Sequence, residues 1–510
     1  PDVDMKYLCF FLISMLLLSC SRQKRAETLF RGIQSDDYIS ESFHEVAVSA
    51  GKNITIHAGE FDSEGYCLMH ELFDTVIAVR LETTEESLVG VVDKVIVVDS
   101  CMYVLDKFKT KSVKRFTLEG KYLNVIGQYG EGPEMQREVT DFCISENEVL
   151  ILDQFQSKIF IYTLDGILKD IRQLPFSCIQ LHRFSTNNYV FFGINAFNYH
   201  FPEILNYSLW QTDSCFKVNN RLAYKEKEKY QNILERNSLA SFSDTLYYKK
   251  TWSDTIFSIS PEGEMKYEYI IDLNGKAVPQ ELIRKGNENI WPREIEEGKY
   301  VIIDTYAITS DYIYASCVLK NLNYHLFYHI ASKKTIMRPL LLNSINSIFP
   351  FTRPIVGATE QYLVGAIDAA SIYDSFHERT EQEWLEKKGY CKGKVTNIGD
   401  NLIPFCKDLK MDDNPIILLY YFKGIYYNFD RRADLSDFAI FIIVSLMLGS
   451  FLSVHPDKNG RMSYNSYSLE KEILYLLREE QFELLGNEGS VLDSNKIIYD
   501  VNNKEYTLSN

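Results

Sequence analysis

The stretch "IGQYGEGPEM", Ile126 to Met135, sets Gly127, Gly130 and Gly132 in G-x-x-G-x-G order. A glycine-rich loop can hold phosphate on its backbone amides when it leads from a strand into a helix N-terminus. Here no lysine followed by serine or threonine closes the motif. The text that follows, "PEMQREVTDFCISENEVLILD", returns to strand without a crossover helix. The loop therefore reads as punctuation between repeats, a poor place for a site, and no cofactor is expected. Asp106 and Asp153 could be a pair of glycosidase carboxylates, which stand about 5–9 Å apart. They occupy equivalent positions of two repeats, which favours a structural role capping the turn after a strand. His325 and His329, in "NYHLFYH", could share a metal on a helix. On a strand they face the same side about 13 Å apart, and the aromatic surroundings read as strand, so no metal is expected. The chain contains neither HExxH nor GxSxG, the signatures of zinc-dependent and serine hydrolases. No catalytic residue is assigned.

The elements that would carry such residues are framed by composition. The 510 residues have a formal net charge of −16, which argues against nucleic acid as a partner, because phosphate binding needs a basic surface. Aromatic content is dominated by 34 Tyr and 31 Phe against 4 Trp. That balance suits sheet faces, where one end of the ring is buried and the other wet. The cysteines beyond the leader, Cys67, Cys101, Cys143, Cys178, Cys215, Cys317, Cys391 and Cys406, show no metal-like spacing. No disulfide pair can be named from them.

The N-terminal text "MKYLCFFLISMLLLSC", Met5 to Cys20, places Lys6 before an apolar run, Tyr7 to Leu18. That run suits a signal-peptide core and is short for a membrane span. It ends in Leu17-Leu18-Ser19-Cys20, which resembles the bacterial lipobox, whose cysteine carries diacylglycerol and becomes the first mature residue. Met5 then reads as the start, with Pro1 to Asp4 upstream of it. Cys20 is the expected lipidation site and the membrane the expected partner. The following "SRQKRAE" lacks the acidic run of surface-exported lipoproteins, which points to the periplasmic side of the outer membrane.

Two segments align by eye: "MYVLDKFKTKSVKRFTLEGKYLNVIG" from Met102 and "VLILDQFQSKIFIYTLDGILKDI" from Val149. Leu105-Asp106 matches Leu152-Asp153, and Leu118-Glu119-Gly120 matches Leu164-Asp165-Gly166. Each unit reads as strand, polar turn, strand, acidic-Gly turn, strand. Weaker copies follow, and openings at Cys101, Glu148, Asn188, Asp244, Asp311 and Glu360 give six units. Self-similar four-stranded units of about 40 to 50 residues predict a β-propeller. "DTVIAVRLET" (Asp74 to Thr83) and "NPIILLYYFK" (Asn414 to Lys423) bracket the six openings and are expected to close the ring within one blade.

"AVRLETTEESLVG", "YVLD…VKRFTLEGKYLNVIGQYGEGP" and "DFCISENEVLILDQFQSKIFIYTLDG" resemble the six-bladed β-propeller lipoproteins of Gram-negative gut bacteria and their NHL-repeat relatives. The family commonly has Gly-Glu-Tyr after the Gly-Pro, where this chain has Glu134-Met135-Gln136. The resemblance implies a propeller and an envelope location, and no particular ligand.

The expected organisation is all-β. A lipoprotein signal peptide occupies residues 1–20, a tether and small N-terminal section 21–70, and a six-bladed propeller 71–424. A mixed α/β extension occupies 425–510. "ERTEQEWLEKKG" (Glu378 to Gly389) reads as an inserted amphipathic helix. In the extension, "FAIFIIVSLMLGSFLSV" (Phe438 to Val454) reads as a buried, interfacial or spanning helix. "SLEKEILYLLREEQFELL" (Ser468 to Leu485) reads as an amphipathic helix, and "KIIYDVNNKEYTL" as a hairpin. The expected function is an envelope-anchored, non-catalytic binding or scaffolding module for a glycan, peptide or envelope protein. The alternative is a hydrolase or lyase acting on a glycan or peptide at the central channel.

Overall fold

In the N-terminal unit, Pro1–Gly424, antiparallel sheets repeat around a common axis as the six blades of a β-propeller. The computed structural model describes residues 28–63, 65–193, 198–224, 238–250, 252–279, 281, 297–320, 322–342, 344–345, 351–352, 354–377 and 402–423 of this unit. Of the second unit, Ile425–Asn510, it describes 453–456, 462–465, 496–500 and 505–509. The signal peptide, Cys20, Glu378 to Gly389 and both expected helices of the extension lie outside the described residues, apart from Ser453 and Val454.

Three strands precede the ring: β1 (Ile39–Glu45), β2 (Ser49–His57) and β3 (Tyr66–Leu68). Strand β4 (Phe73–Arg80) then enters the propeller. Blade 1 comprises β5 (Lys94–Val98), β6 (Cys101–Asp106), β7 (Ser112–Thr117) and β8 (Tyr122–Ile126). Blade 2 comprises β9 (Asp141–Ser145), β10 (Glu148–Asp153), β11 (Lys158–Thr163) and β12 (Leu168–Gln173). Blade 3 comprises β13 (Gln180–Arg183), β14 (Tyr189–Phe192), β15 (Tyr207–Thr212) and β16 (Val218–Tyr224). Blade 4 comprises β17 (Leu239–Phe242), β18 (Thr245–Lys249), β19 (Thr255–Ile259) and β20 (Met265–Asp272). Blade 5 comprises β21 (Ile302–Ile308), β22 (Tyr312–Leu319), β23 (Leu322–His329) and β24 (Lys334–Arg338). After β25 (Leu340–Leu342), blade 6 adds β26 (Gly357–Ala358), β27 (Tyr362–Ile367) and β28 (Ile416–Phe422), and β4 completes it. The closure joins the two segments expected to meet: Ile77 stands opposite Leu419 and Val79 opposite Ile417, antiparallel.

Each of the six repeat openings lies within two residues of the start of a blade's second strand. These strands read as continuous hydrophobic runs because both of their faces are buried, one against each neighbouring blade. In β6, Met102 and Val104 pack toward blade 6, while Cys101, Tyr103 and Leu105 pack toward blade 2. The two-residue period of a strand thus serves two cores at once. Six hydrophobic clusters result, one between each pair of adjacent blades. The outermost strands β8 and β12 alternate or stay exposed.

Residues 39–68, within the segment expected to be a tether and small N-terminal section, form strands along the blades. Strand β1 adds in parallel to the outer edge of blade 3 beside β16, and β2 adds in parallel to blade 4 beside β20. Strand β3 pairs with β25. Ion pairs fasten this belt: Lys52 to Glu268 at 2.6 Å and Glu45 to Arg221 at 3.3 Å. An outer blade edge offers unpaired backbone groups, so almost any extended segment can dock there, and little hydrophobic patterning is required.

The second unit contains a sheet of β29 (Ser453–Pro456), β30 (Met462–Asn465), β31 (Lys496–Asp500) and β32 (Glu505–Ser509). Strands β31 and β32 form the expected antiparallel pair, with Tyr499 opposite Tyr506.

Candidate functional site

In an antiparallel four-stranded blade, successive turns lie at alternate ends. The connectors that enter each blade therefore share one end with the loops between second and third strands. Asp106 and Asp153 lock these two kinds of loop together. Asp106 Oδ2 accepts the N–H of Gly90, in the connector, at 2.7 Å, and Oδ1 accepts the N–H of Lys109, in the loop, at 2.9 Å. Asp153 repeats this with Arg137 at 2.7 Å and Gln156 at 2.9 Å. Burial works to raise the Asp106 pKa, but donation from the amides of Lys109, Gly90 and Thr110 outweighs it and holds the carboxyl below its usual range. Both acids are structural, in separate blades, as their repeat positions implied.

The two histidines lie on β23, in strand. His325 is buried at the boundary of blades 5 and 6, its Nδ1 3.1 Å from Tyr314 Oη and its ring 4.8 Å from that of Phe351. His329 Nδ1 meets Ser332 Oγ in the following turn at 2.7 Å. The cysteines of the described residues are free thiols. Burial pushes Cys67 and Cys317 up to about 12 and Cys143 and Cys406 up to about 11. They act as small hydrophobes, not as thiolate nucleophiles.

Among the concave features formed by the described residues of the propeller, which include a hollow of about 910 Å³ beside Phe61, Lys320 and Tyr324, two bear on a site. The first is the central channel, about 340 Å³, lined by the innermost strands of all six blades. Among its described lining residues the only carboxylate is Glu360 and the only imidazole is His182. Burial, with the Lys94 charge adding to it, pushes His182 down to about 4, so its ring is neutral near pH 7. Lys94 is held by Asp141 Oδ1 at 2.9 Å and the Phe142 carbonyl at 2.7 Å, while Asp141 Oδ2 accepts the Leu181 N–H at 3.1 Å. One buried carboxylate thus ties blades 1, 2 and 3 at the axis. The turns between first and second strands rim the far mouth with Asp99, Glu146, Asp244, Asp311 and Glu360. Among the described residues no three carboxylate, histidine or cysteine groups could share a metal.

The second feature is a cleft of about 770 Å³ at the connector end of blades 1 and 2. It gathers Phe108 from the β6–β7 loop, Tyr129 from the connector into blade 2, and Phe155 from the β10–β11 loop. These rings are 64%, 54% and 37% exposed. Large aromatic side chains usually bury, so three on one cleft form an unfilled apolar surface. Lys111 Nζ lies 4.8 Å from the Tyr129 ring centre and Arg137 Cζ 5.7 Å from that of Phe155, within cation–π range. Around them are Lys107 and the acids Asp93, Glu131 and Glu138. Three cations and three carboxylates balance. Among the described residues the lining includes no serine, cysteine or histidine.

The glycine loop, read from the sequence as punctuation between repeats, also lines this cleft through Tyr129, Gly130 and Glu131. Gln136 folds it back: the Gln128 N–H donates to Gln136 Oε1 at 2.8 Å, and the Gly130 N–H donates to the Gln136 carbonyl at 2.9 Å. Gly127 has φ +82°, open to glycine at little cost. A Cβ at Gly130 would stand 2.5 Å from Met135 Sδ. The glycines pack a tight loop and present Tyr129; they carry no helix N-terminus for phosphate. Sequence reading missed the site because its three rings come from separate loops, and each alone is an unremarked aromatic.

The family described as a domain of unknown function, DUF4934, matches residues 52–421. Among solved structures, the chain is similar to a protein described as exported from Bacteroides fragilis, with 18% identity and a TM-score of 0.57. The match covers 73% of this chain and 99% of that one. It also matches a DUF4221 family member from Bacteroides vulgatus at 11% identity and TM-score 0.39, covering 69% and 97% of the two chains. Virginiamycin B lyase from Staphylococcus aureus matches at 13% identity and TM-score 0.28, covering 52% and 73%. No curated protein matches the chain.

Proposed function

The chain belongs to the DUF4934 family, and from that premise we propose that it is an envelope lipoprotein whose propeller binds its ligand without transforming it. The observation that carries this reading is the grouping of Phe108, Tyr129 and Phe155 around one cleft whose described lining residues include no serine, cysteine or histidine. Exposed rings supply contact area at small entropic cost, and the balanced charges orient a polar ligand. The ligand is a glycan, a peptide or a segment of an envelope protein. Diacylglycerol on Cys20 holds the protein in the outer membrane, facing the periplasm; several acyl chains anchor stably where one does not.

A glycan and peptide binding array, run beside a hydrolase and lyase panel, tests the binding reading. Binding without turnover supports it, and turnover that survives purification sinks it. For the anchor, membranes from cells carrying Cys20→Ala are washed with salt. Retention of that variant would overturn the assignment.

A further inference from the structure

We infer that the connector end of the propeller faces the lipid surface, so that the aromatic cleft opens toward the membrane. This rests on the lipoprotein reading of Cys20 and adds an orientation to it.

Where the chain first docks is the starting point. Phe30 is 4% exposed, and its ring stacks on His200 at 4.2 Å and 15°. His200 Nε2 donates to the Pro175 carbonyl at 2.8 Å. His200 belongs to the loop between the second and third strands of blade 3, and Pro175 to the connector entering that blade. Both are features of the connector end, the end that carries the cleft, and Ile179 of the same connector and Gln180 at the start of β13 line it.

Length then decides between the two orientations. From Cys20 to Thr28, the first described residue, there are eight residues, which reach at most about 29 Å. The strands of blade 3, four to seven residues long, stand about 13–23 Å tall. With the far end against lipid, these residues would spend most of their reach on the height of blade 3 and would have little left for the headgroups. With the connector end against lipid, the same length spans the gap easily.

Charge points the same way. Residues 21–27 include Arg22, Lys24 and Arg25 against Glu27 alone, a sequence drawn to anionic headgroups. At the far end, the turns between first and second strands carry Asp99, Glu146, Asp244, Asp311 and Glu360 and no lysine or arginine. An anionic surface repels that rim.

The test places a donor dye on each end of lipidated protein bound to vesicles that contain anionic lipid and a trace of acceptor-labelled lipid. In a Cys391→Ser background, Cys215, an exposed thiol in the β15–β16 turn, reports the far end. Glu131→Cys in a Cys215→Ser, Cys391→Ser background reports the connector end. Energy transfer from position 131 should exceed that from position 215 at least twofold; equal or reversed transfer overturns the orientation. A 20-residue Gly/Ser insertion between Glu27 and Thr28 should abolish the difference, and a difference that persists overturns the argument from reach. Protein that fails to float with the vesicles would instead refute the lipoprotein reading.

Discussion

Asp106 Oδ2 accepts the backbone N–H of Gly90 at 2.7 Å, joining the connector into blade 1 to the loop that follows β6. The same carboxylate also accepts from Phe108, Lys109 and Thr110. The loop bearing Phe108 is thus shaped by an acid at its base, and cleft and scaffold share one support. Asp106→Ala should cost about 3–5 kcal/mol, because several amides lose a charged acceptor. The folded carboxyl titrates below its ordinary value. Its contribution is therefore present above the unfolded pKa, about 3.9, and is lost as pH falls through the folded value. Urea unfolding of wild type and variant at neutral and acid pH measures both effects, which should converge in acid.

His182 works in a different pH window. Its folded pKa is about 4, against about 6.5 unfolded. Between those values the unfolded chain binds a proton that the folded chain does not. Stability is therefore full above about pH 6.5 and declines toward pH 4, on the order of 2–3 kcal/mol for this group. In His182→Gln that part of the decline should vanish, as read from unfolding free energies at a series of pH values. An unchanged profile would mean that the imidazole is hydrated in the folded state.

Belt strands β1 and β2 cover the outer edges of blades 3 and 4. A chain lacking residues 28–57 should expose the N–H and C=O groups of β16 and β20. Hydrogen exchange in those strands should rise, and the protein should self-associate on a sizing column, because a bare sheet edge templates further pairing. Loss of protection confined to other blades would contradict the pairing.

The cleft can be probed without disturbing the fold. Phe108 and Tyr129 are largely exposed, so Phe108→Ala and Tyr129→Ala should leave thermal stability nearly unchanged. Each should weaken the ligand found by the array about tenfold or more, equivalent to about 1.4 kcal/mol. Undiminished affinity in the double variant would remove the cleft from the binding reading.

The belt and the blades show how differently structure is written into sequence. "MYVLD" and "VLILD" announce themselves because each buries two faces, and their Asp termini recur because blades 1 and 2 repeat the same turn. "ISESFHE", which forms β1, is polar and mostly exposed. It is held by an edge of backbone groups and by pairs such as Glu45 with Arg221, so no hydrophobic period marks it. The glycine loop lies between these cases: its place between blades was legible, and its use was not.

By itself, the sequence determined the six-bladed ring and its closure by Asp74 to Thr83 beside Asn414 to Lys423, and it identified Asp106 and Asp153 as turn acids. These follow from local period and from repetition, properties carried by neighbours in the chain. Only the tertiary structure decided that residues 39–68 belt the blades and that Phe108, Tyr129 and Phe155 share one cleft. Only there, too, does Lys94 meet Asp141 and His182 lose its charge. Those outcomes depend on which surfaces the folded ring leaves open and which charges it encloses, and such long-range adjacency leaves no periodic trace in the chain.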